Sequence, residues 1–196
     1  MKSVFCFALF SLVFSWHSFS LNLKSGCAAF GARKTIALVS TERVFGVNCD
    51  SKIDFKKNDS NFSISVEIPV NGFKSGEPER DEKIPSLLGM SADSLIQFRT
   101  WPLPRDVFSE WAKEKKGQLK ATLKIGAKHY VVNFKVKVKK LVKDYELTGE
   151  LKSSFEKFGV EAPSIAGGLI AKVSPGLDLY FRINYSEIPS EVRGMD

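Results

Sequence analysis

Residues 132–139 read VNFKVKVK: Val132, Phe134, Val136 and Val138 alternate with Asn133, Lys135, Lys137 and Lys139. A period of two sends alternate side chains to opposite faces of a β-strand. One apolar face backed by one charged face marks an antiparallel sheet with a single dry side. The pattern repeats in both directions along the chain. Leu119, Ala121, Leu123 and Ile125 alternate with Gln118, Lys120, Thr122 and Lys124; Phe62, Ile64, Val66, Ile68 and Val70 with Asn61, Ser63, Ser65 and Glu67; Leu177, Leu179, Phe181, Ile183 and Tyr185 with Asp178, Tyr180, Arg182 and Asn184.

Weaker strands fill the intervals. Ala28 to Val39 and Val44 to Lys56 flank a polar turn at Ser40 to Arg43, Leu95 to Trp101 precedes Pro102, and Tyr145, Leu147, Gly149, Leu151 and Phe155 share one face of a further strand. Gly126 marks a tight hairpin between Ile125 and His129. The total is eight strands. Two stretches break the alternation. Glu77 to Leu88 reads as a helix, with Pro78 in its first turn and Gly89 as its stop. Arg105 to Lys116 reads as a second short helix with Val107, Phe108 and Trp111 on one side. The segment from Phe158 to Gly168, with Pro163 and the pair Gly167 and Gly168, is a loop.

The first twenty residues are expected to be a removable export signal. Lys2 precedes an uncharged apolar run from Val4 to Trp16, too short for the roughly 20 residues a spanning helix needs. Ser18 and Ser20 suit a cleavage site before Leu21. The expected organisation is a signal peptide over 1–20 and one β domain over 21–196, in a periplasmic or secreted protein. About 176 of the 196 residues then remain, enough for one core and short for two. Cys27 and Cys49 are an even pair, which an oxidising compartment invites to form a disulfide; two half-buried thiols are the alternative. A simple hairpin is not expected to set them directly opposite.

Eight strands sharing an apolar face can form a sandwich or a closed barrel. Closure removes aggregation-prone edges, and an eight-stranded barrel has room for side chains or one small ligand. Burying each Phe, Leu, Ile or Val contributes about 1.5–3 kcal/mol, whether in a solid core or a greasy lining. The expected lining is Phe62, Ile64, Val66, Phe98, Leu119, Leu123, Phe134, Val136, Leu147, Leu151, Leu179 and Phe181.

Four short segments resemble the YceI-like family of exported barrel proteins: FGARKT at 30–35, GEPERDEK at 76–83, TLKIGAK at 122–128 ahead of the Phe134 strand, and FEKFGV at 155–160 followed by Pro163, Gly167 and Gly168. The resemblance spans Cys27 to Tyr185. It implies an all-β, eight-stranded, antiparallel lipocalin-like barrel with one or two short helices in its connections. It further implies a polyisoprenoid or similar amphiphilic lipid with its tail in the barrel. The chain departs from the family where Leu87, Leu88, Gly89 and Met90 replace a paired aromatic, and in an insertion from Pro102 to Lys116. Both changes are expected at a lid or mouth.

No constellation for catalysis stands out. His129 is the only histidine after residue 20, there is no Cys-x-x-Cys pair, and there is no nucleophile elbow or phosphate-cradling glycine loop. The expectation is a binding protein with no catalytic residue, metal or cofactor. Arg80 lies among Glu79, Asp81 and Glu82. It is either a clamp for a phosphate or carboxylate headgroup or part of a helix start paired locally, with the acids complementing the helix dipole. Lys120, Lys124, Lys135, Lys137 and Lys139 share the outer faces of two adjacent strands. That stripe is either a solvated face that discourages edge pairing or an attractor for anionic membrane; export makes nucleic acid an unsuitable partner. Trp101, Phe108 and Trp111 form either an aromatic lid or a satellite core. Two functions follow: a carrier of an isoprenoid-like amphiphile, or a solid-core envelope stress or interaction module acting through its surface.

Overall fold

The computed structural model describes residues 21–36, 40–58, 60–165 and 171–192. The expected signal peptide, and Gly167 with Gly168, lie outside the described residues. Among the described residues eleven strands form one antiparallel sheet: β1 Cys27–Ile36, β2 Ser40–Asn48, β3 Lys52–Asn58, β4 Asn61–Pro69, β5 Leu95–Thr100, β6 Leu103–Pro104, β7 Lys116–Ile125, β8 Lys128–Lys140, β9 Tyr145–Ser154, β10 Ser164–Ile165 and β11 Ala171–Asn184. The continuous order is β2-β1-β11-β9-β8-β7-β5-β4-β3, with β6 added to β4 and β10 to β11. The antiparallel architecture expected from the alternation is present, and it curls into the barrel that the YceI-like resemblance implies, but the sheet is not closed.

The strand count exceeds eight by three: the two-residue strands β6 and β10 add two, and a divided strand adds the third. The stretch Val44 to Lys56, expected as one strand, breaks after Asn48 into β2 and β3. Asn48 is fully buried; its amide donates to the Pro69 carbonyl (2.7 Å) and its oxygen accepts the Asp50 N–H (2.8 Å). The second bond makes an Asx-type turn that ends the strand. Ser40 to Arg43, expected as a turn, belongs to β2, where Thr41 pairs with Thr35 across the ladder. The expected helix over Glu77 to Leu88 is two single turns, α1 Pro78–Asp81 and α2 Ile84–Leu87. Pro85, lacking an N–H, starts a new turn and does not continue the old one. The second helix is α3, Val107–Glu114.

The sheet's terminal strands, β2 and β3, do not pair with each other, so the barrel has a seam. Three local devices hold it. Val47 and Lys74 exchange two backbone hydrogen bonds of 2.8 Å. Asn48 ties the end of β2 to the end of β4. The Cys27–Cys49 disulfide staples β1 to the β2–β3 connection. The β1–β2 register, in which Ala28 faces Asn48, carries Cys27 directly opposite Cys49, with Cα atoms 4.2 Å apart. The expectation that a hairpin would offset them is therefore corrected. Leaving the Asn48 partners unsatisfied in this buried place would cost about 1–3 kcal/mol.

Outside the barrel, residues from Leu21 onward pack across β1. Leu23, Cys27 and Ala29 form a small second core with Leu21, Val47 and Tyr180 around it. Arg182 donates to the Leu23 carbonyl at 2.6 Å and pairs with Glu146 at 2.7 Å. Nearby on β11, the Tyr180 hydroxyl donates to Asp178 and accepts from Arg43 (2.9 Å).

Candidate functional site: an apolar cavity at one end of the barrel

The barrel interior divides into two parts. At one end it is solid. Phe62, Leu103, Val107, Phe108, Trp111, Val136, Val138, Leu147, Tyr185, Ile188 and Val192 are all buried in one cluster. Phe108 is its hub, with ring centroids 5.4 Å from Phe62, 5.8 Å from Trp111 and 6.0 Å from Tyr185. The α3 helix, and the segment from Tyr185 to Val192, supply side chains that the strands alone do not. Trp111 lies against Gly117, where a side chain of any size would collide with the indole. The insertion expected at a lid or mouth is thus a plug for the closed end. Of the aromatic trio, Phe108 and Trp111 belong to the core and Trp101, 46% exposed, stands outside it.

The other part encloses a cavity of about 870 Å³. Among the expected lining residues, Ile64, Val66, Phe98, Leu119, Leu123, Phe134, Leu179 and Phe181 face this space, and Arg80 stands at it. Phe62, Val136, Leu147 and Leu151 do not; they are buried, at 1%, 1%, 3% and 7% exposure. Phe30, Ile53, Ile68, Phe73, Ile96 and Leu177, which the sequence did not single out, also line the cavity. Phe30 and Ile68 were legible in their strands' alternation. Phe73 was not, because it follows β4 and reaches the interior through the seam.

Two wall positions keep this space open. Phe30 pairs with Gly46 and Phe181 with Gly149 in the ladders. Each ring lies flat over its glycine, in space that a β-carbon would occupy. Flattened rings cover the strand backbone without crossing the lumen. Phe134 continues the aromatic surface, 5.4 Å from Phe181 and 5.9 Å edge-on from Phe98.

The mouth is marked by the exposed residues on the lining. Glu77, Glu79, Lys83 and Leu87 come from the α1–α2 segment, Glu161 and Ser164 from the segment after β9, and Lys172 from β11. The loop after β9 is fastened by Tyr130, whose hydroxyl donates to the Phe158 carbonyl at 2.6 Å and whose ring meets Phe158 edge-on at 5.2 Å. Arg80 is half-buried. Its Nε donates to Ser75 Oγ at 2.8 Å, while Asp81 accepts the Ser75 N–H (2.9 Å) and hydroxyl. Among the described residues Arg80 has no carboxylate within ion-pair distance. The local pairing of the second sequence alternative is present: Ser75 tethers the guanidinium, which stands beside the apolar cavity. An apolar chamber with a few charged groups at its rim is the chemistry of a pocket for an amphiphile.

The sequence matches no family model and no curated protein. The fold does match solved structures. BcnA of Burkholderia cenocepacia is 15% identical, with a TM-score of 0.56 over 80% of this chain and 95% of that one. A polyisoprenoid-binding domain from Saccharophagus degradans, implicated in plant cell wall breakdown, is 13% identical, with a TM-score of 0.51 over 82% of this chain and 98% of that one. A mutant of the Campylobacter jejuni YceI protein holding a monobromobimane guest is 10% identical, with a TM-score of 0.50 over 93% and 97%. The chain therefore has the YceI-like fold.

Proposed function

We propose that this protein is an exported, non-enzymatic carrier that holds one isoprenoid-like amphiphile in the open part of its barrel. The observation that carries the reading is the apolar cavity of about 870 Å³ with Arg80 and Lys83 at its mouth. That volume falls inside the range of roughly 300–1,000 Å³ typical of small-molecule pockets. Phe98, Phe134, Phe181 and their neighbours shield the tail, and Arg80 meets an anionic or strongly polar head. Support also comes from the fold, since one protein that shares it is described as a polyisoprenoid-binding domain. Peripheral contact with an anionic membrane, and none with nucleic acid, belongs to the same reading, as does a periplasmic or secreted location. The rival solid-core module required a filled interior, and the interior is filled at one end only.

Titration with a fluorescent long-chain amphiphile carrying a phosphate or carboxylate head tests the proposal. Wild type is expected to saturate at one equivalent. Phe98→Asp, which sets a charge against the tail, abolishes binding. Arg80→Ala weakens binding by about tenfold or more, the loss expected of a charged hydrogen bond worth roughly 1.5–3 kcal/mol. No saturable binding by wild type would overturn the reading; an unchanged Arg80→Ala would remove the clamp from it.

A further inference from the structure

From Lys116 to Lys143 the chain contains nine lysines, one histidine and no acid. These residues are the β7–β8 hairpin and the turn into β9. The alternation that buries Leu119, Leu123, Phe134 and Val136 turns Lys116, Lys120, Lys124, Lys135, Lys137 and Lys139 to the outside. The ladder concentrates them: Lys116 stands opposite Lys137. Their neighbour β5 also carries no acid and adds Arg99 to the same face. Three adjacent strands thus make one basic wall along the barrel. Acids appear only at its borders. Glu146 and Glu150 face Lys139 and Lys135 from β9, and Glu110 and Glu114 lie on α3. Glu146 is engaged by Arg182, and Asp144, beyond the turn, is held by Ser186.

Apolar side chains stand exposed on this wall. Trp101 is 46% exposed and receives the Lys120 ammonium over its ring at 5.6 Å; Val131 is 63% exposed on β8; Val142 is 98% exposed at the β8–β9 turn. A solvated wall needs lysines and does not need these three. Nucleic acid would account for the charge but not for an exposed Val131 and Val142. Lysines interleaved with tryptophan and aliphatic side chains are the chemistry of a membrane interface, where charge meets headgroups and the apolar groups enter below them.

We propose that the β5–β7–β8 wall is a docking surface for an anionic lipid bilayer, on which the barrel lies side-on. The wall leads to the cavity mouth: Ile125, next to Lys124, lines the cavity. Side-on docking therefore brings the mouth's edge beside the lipid surface. The inference deepens the carrier reading by naming the surface that meets the membrane.

The test is vesicle flotation of the full chain, comparing vesicles of phosphatidylglycerol and phosphatidylcholine with phosphatidylcholine alone. Binding is expected to the anionic vesicles only, and to disappear at high salt. Each lysine near such a surface is worth about 1 kcal/mol, a factor of roughly five. Lys135→Glu with Lys137→Glu should therefore weaken binding by at least about 25-fold. Val142→Ser should weaken it a few-fold without changing its salt dependence. The proposal is overturned by equal binding to both vesicle types, by an unaffected double variant, or by binding to nucleic acid without binding to vesicles. Amphiphile titration of the same double variant separates the two readings. Retained cavity binding with lost flotation upholds the docking wall, and flotation without any cavity binding upholds it while defeating the carrier.

Discussion

The two ends of the barrel interior use the same kind of wall and reach opposite results. In the closed part, the α3 helix and the Tyr185 to Val192 segment push Phe108, Trp111, Ile188 and Val192 between the strands, and all four are buried in the core. In the open part Phe73 and Ile84 from the connections line the space without filling it, and Phe30 and Phe181 lie flat on glycines. Strand alternation decides which side chains point inward. Whether they meet a filler or each other across a void is decided by the segments between strands. A binding cavity here is the part of the core that no connection fills.

The largest effect that would sharpen this contrast is thermodynamic. Phe62→Ala removes a fully packed ring and should cost about 3–5 kcal/mol, as large-to-small changes in tight cores do. Phe98→Ala, at the cavity, leaves groups that already border open space, and should cost clearly less than Phe62→Ala. Urea denaturation of both variants decides the matter; equal losses would mean that the two regions are packed alike.

A smaller structural effect is expected from Gly149→Val. Its β-carbon takes the place of the Phe181 ring, which must swing into the lumen. Overpacking of this kind costs about 1–3 kcal/mol, and the displaced ring should greatly weaken amphiphile binding. A variant with unchanged binding would show that the flattened ring is not what keeps the chamber open.

The smallest effect is expected at Tyr180 on β11. The Tyr180 hydroxyl is pushed up to about 12, first by burial and then by the negative charge of Asp178, against the opposing pull of Arg43. A folded value above the unfolded one near 10 means that the neutral phenol stabilises the fold. That contribution is complete below about pH 10 and is lost as pH rises toward 12. Tyr180→Phe should therefore lose less stability than wild type between pH 9.5 and about 12, followed by thermal unfolding. Parallel curves would contradict the assignment.

Much of this was legible in the sequence. Period-two runs placed the strands at residues 61–70, 118–125 and 132–139 and named most of the cavity wall. The resemblance of four short segments pointed to the YceI-like fold. What escaped was whatever depends on contacts between distant segments. Asn48 reads as an ordinary strand residue until Pro69 is beside it. Phe62 and Ile64 occupy equivalent places in one alternation, yet Phe108 fills the space before one and nothing fills it before the other. The insertion from Pro102 to Lys116 was expected at a lid or mouth as a departure from the family pattern; only its docking against β7 and β8 makes it the plug.

Native mass spectrometry of the intact protein, released gently from solution after incubation with an isoprenoid-like amphiphile, decides whether the barrel holds a ligand. One added ligand mass per chain is expected, lost from Phe98→Asp and kept by Phe62→Leu. A spectrum of bare protein alone, from a chain shown to be folded, would contradict it.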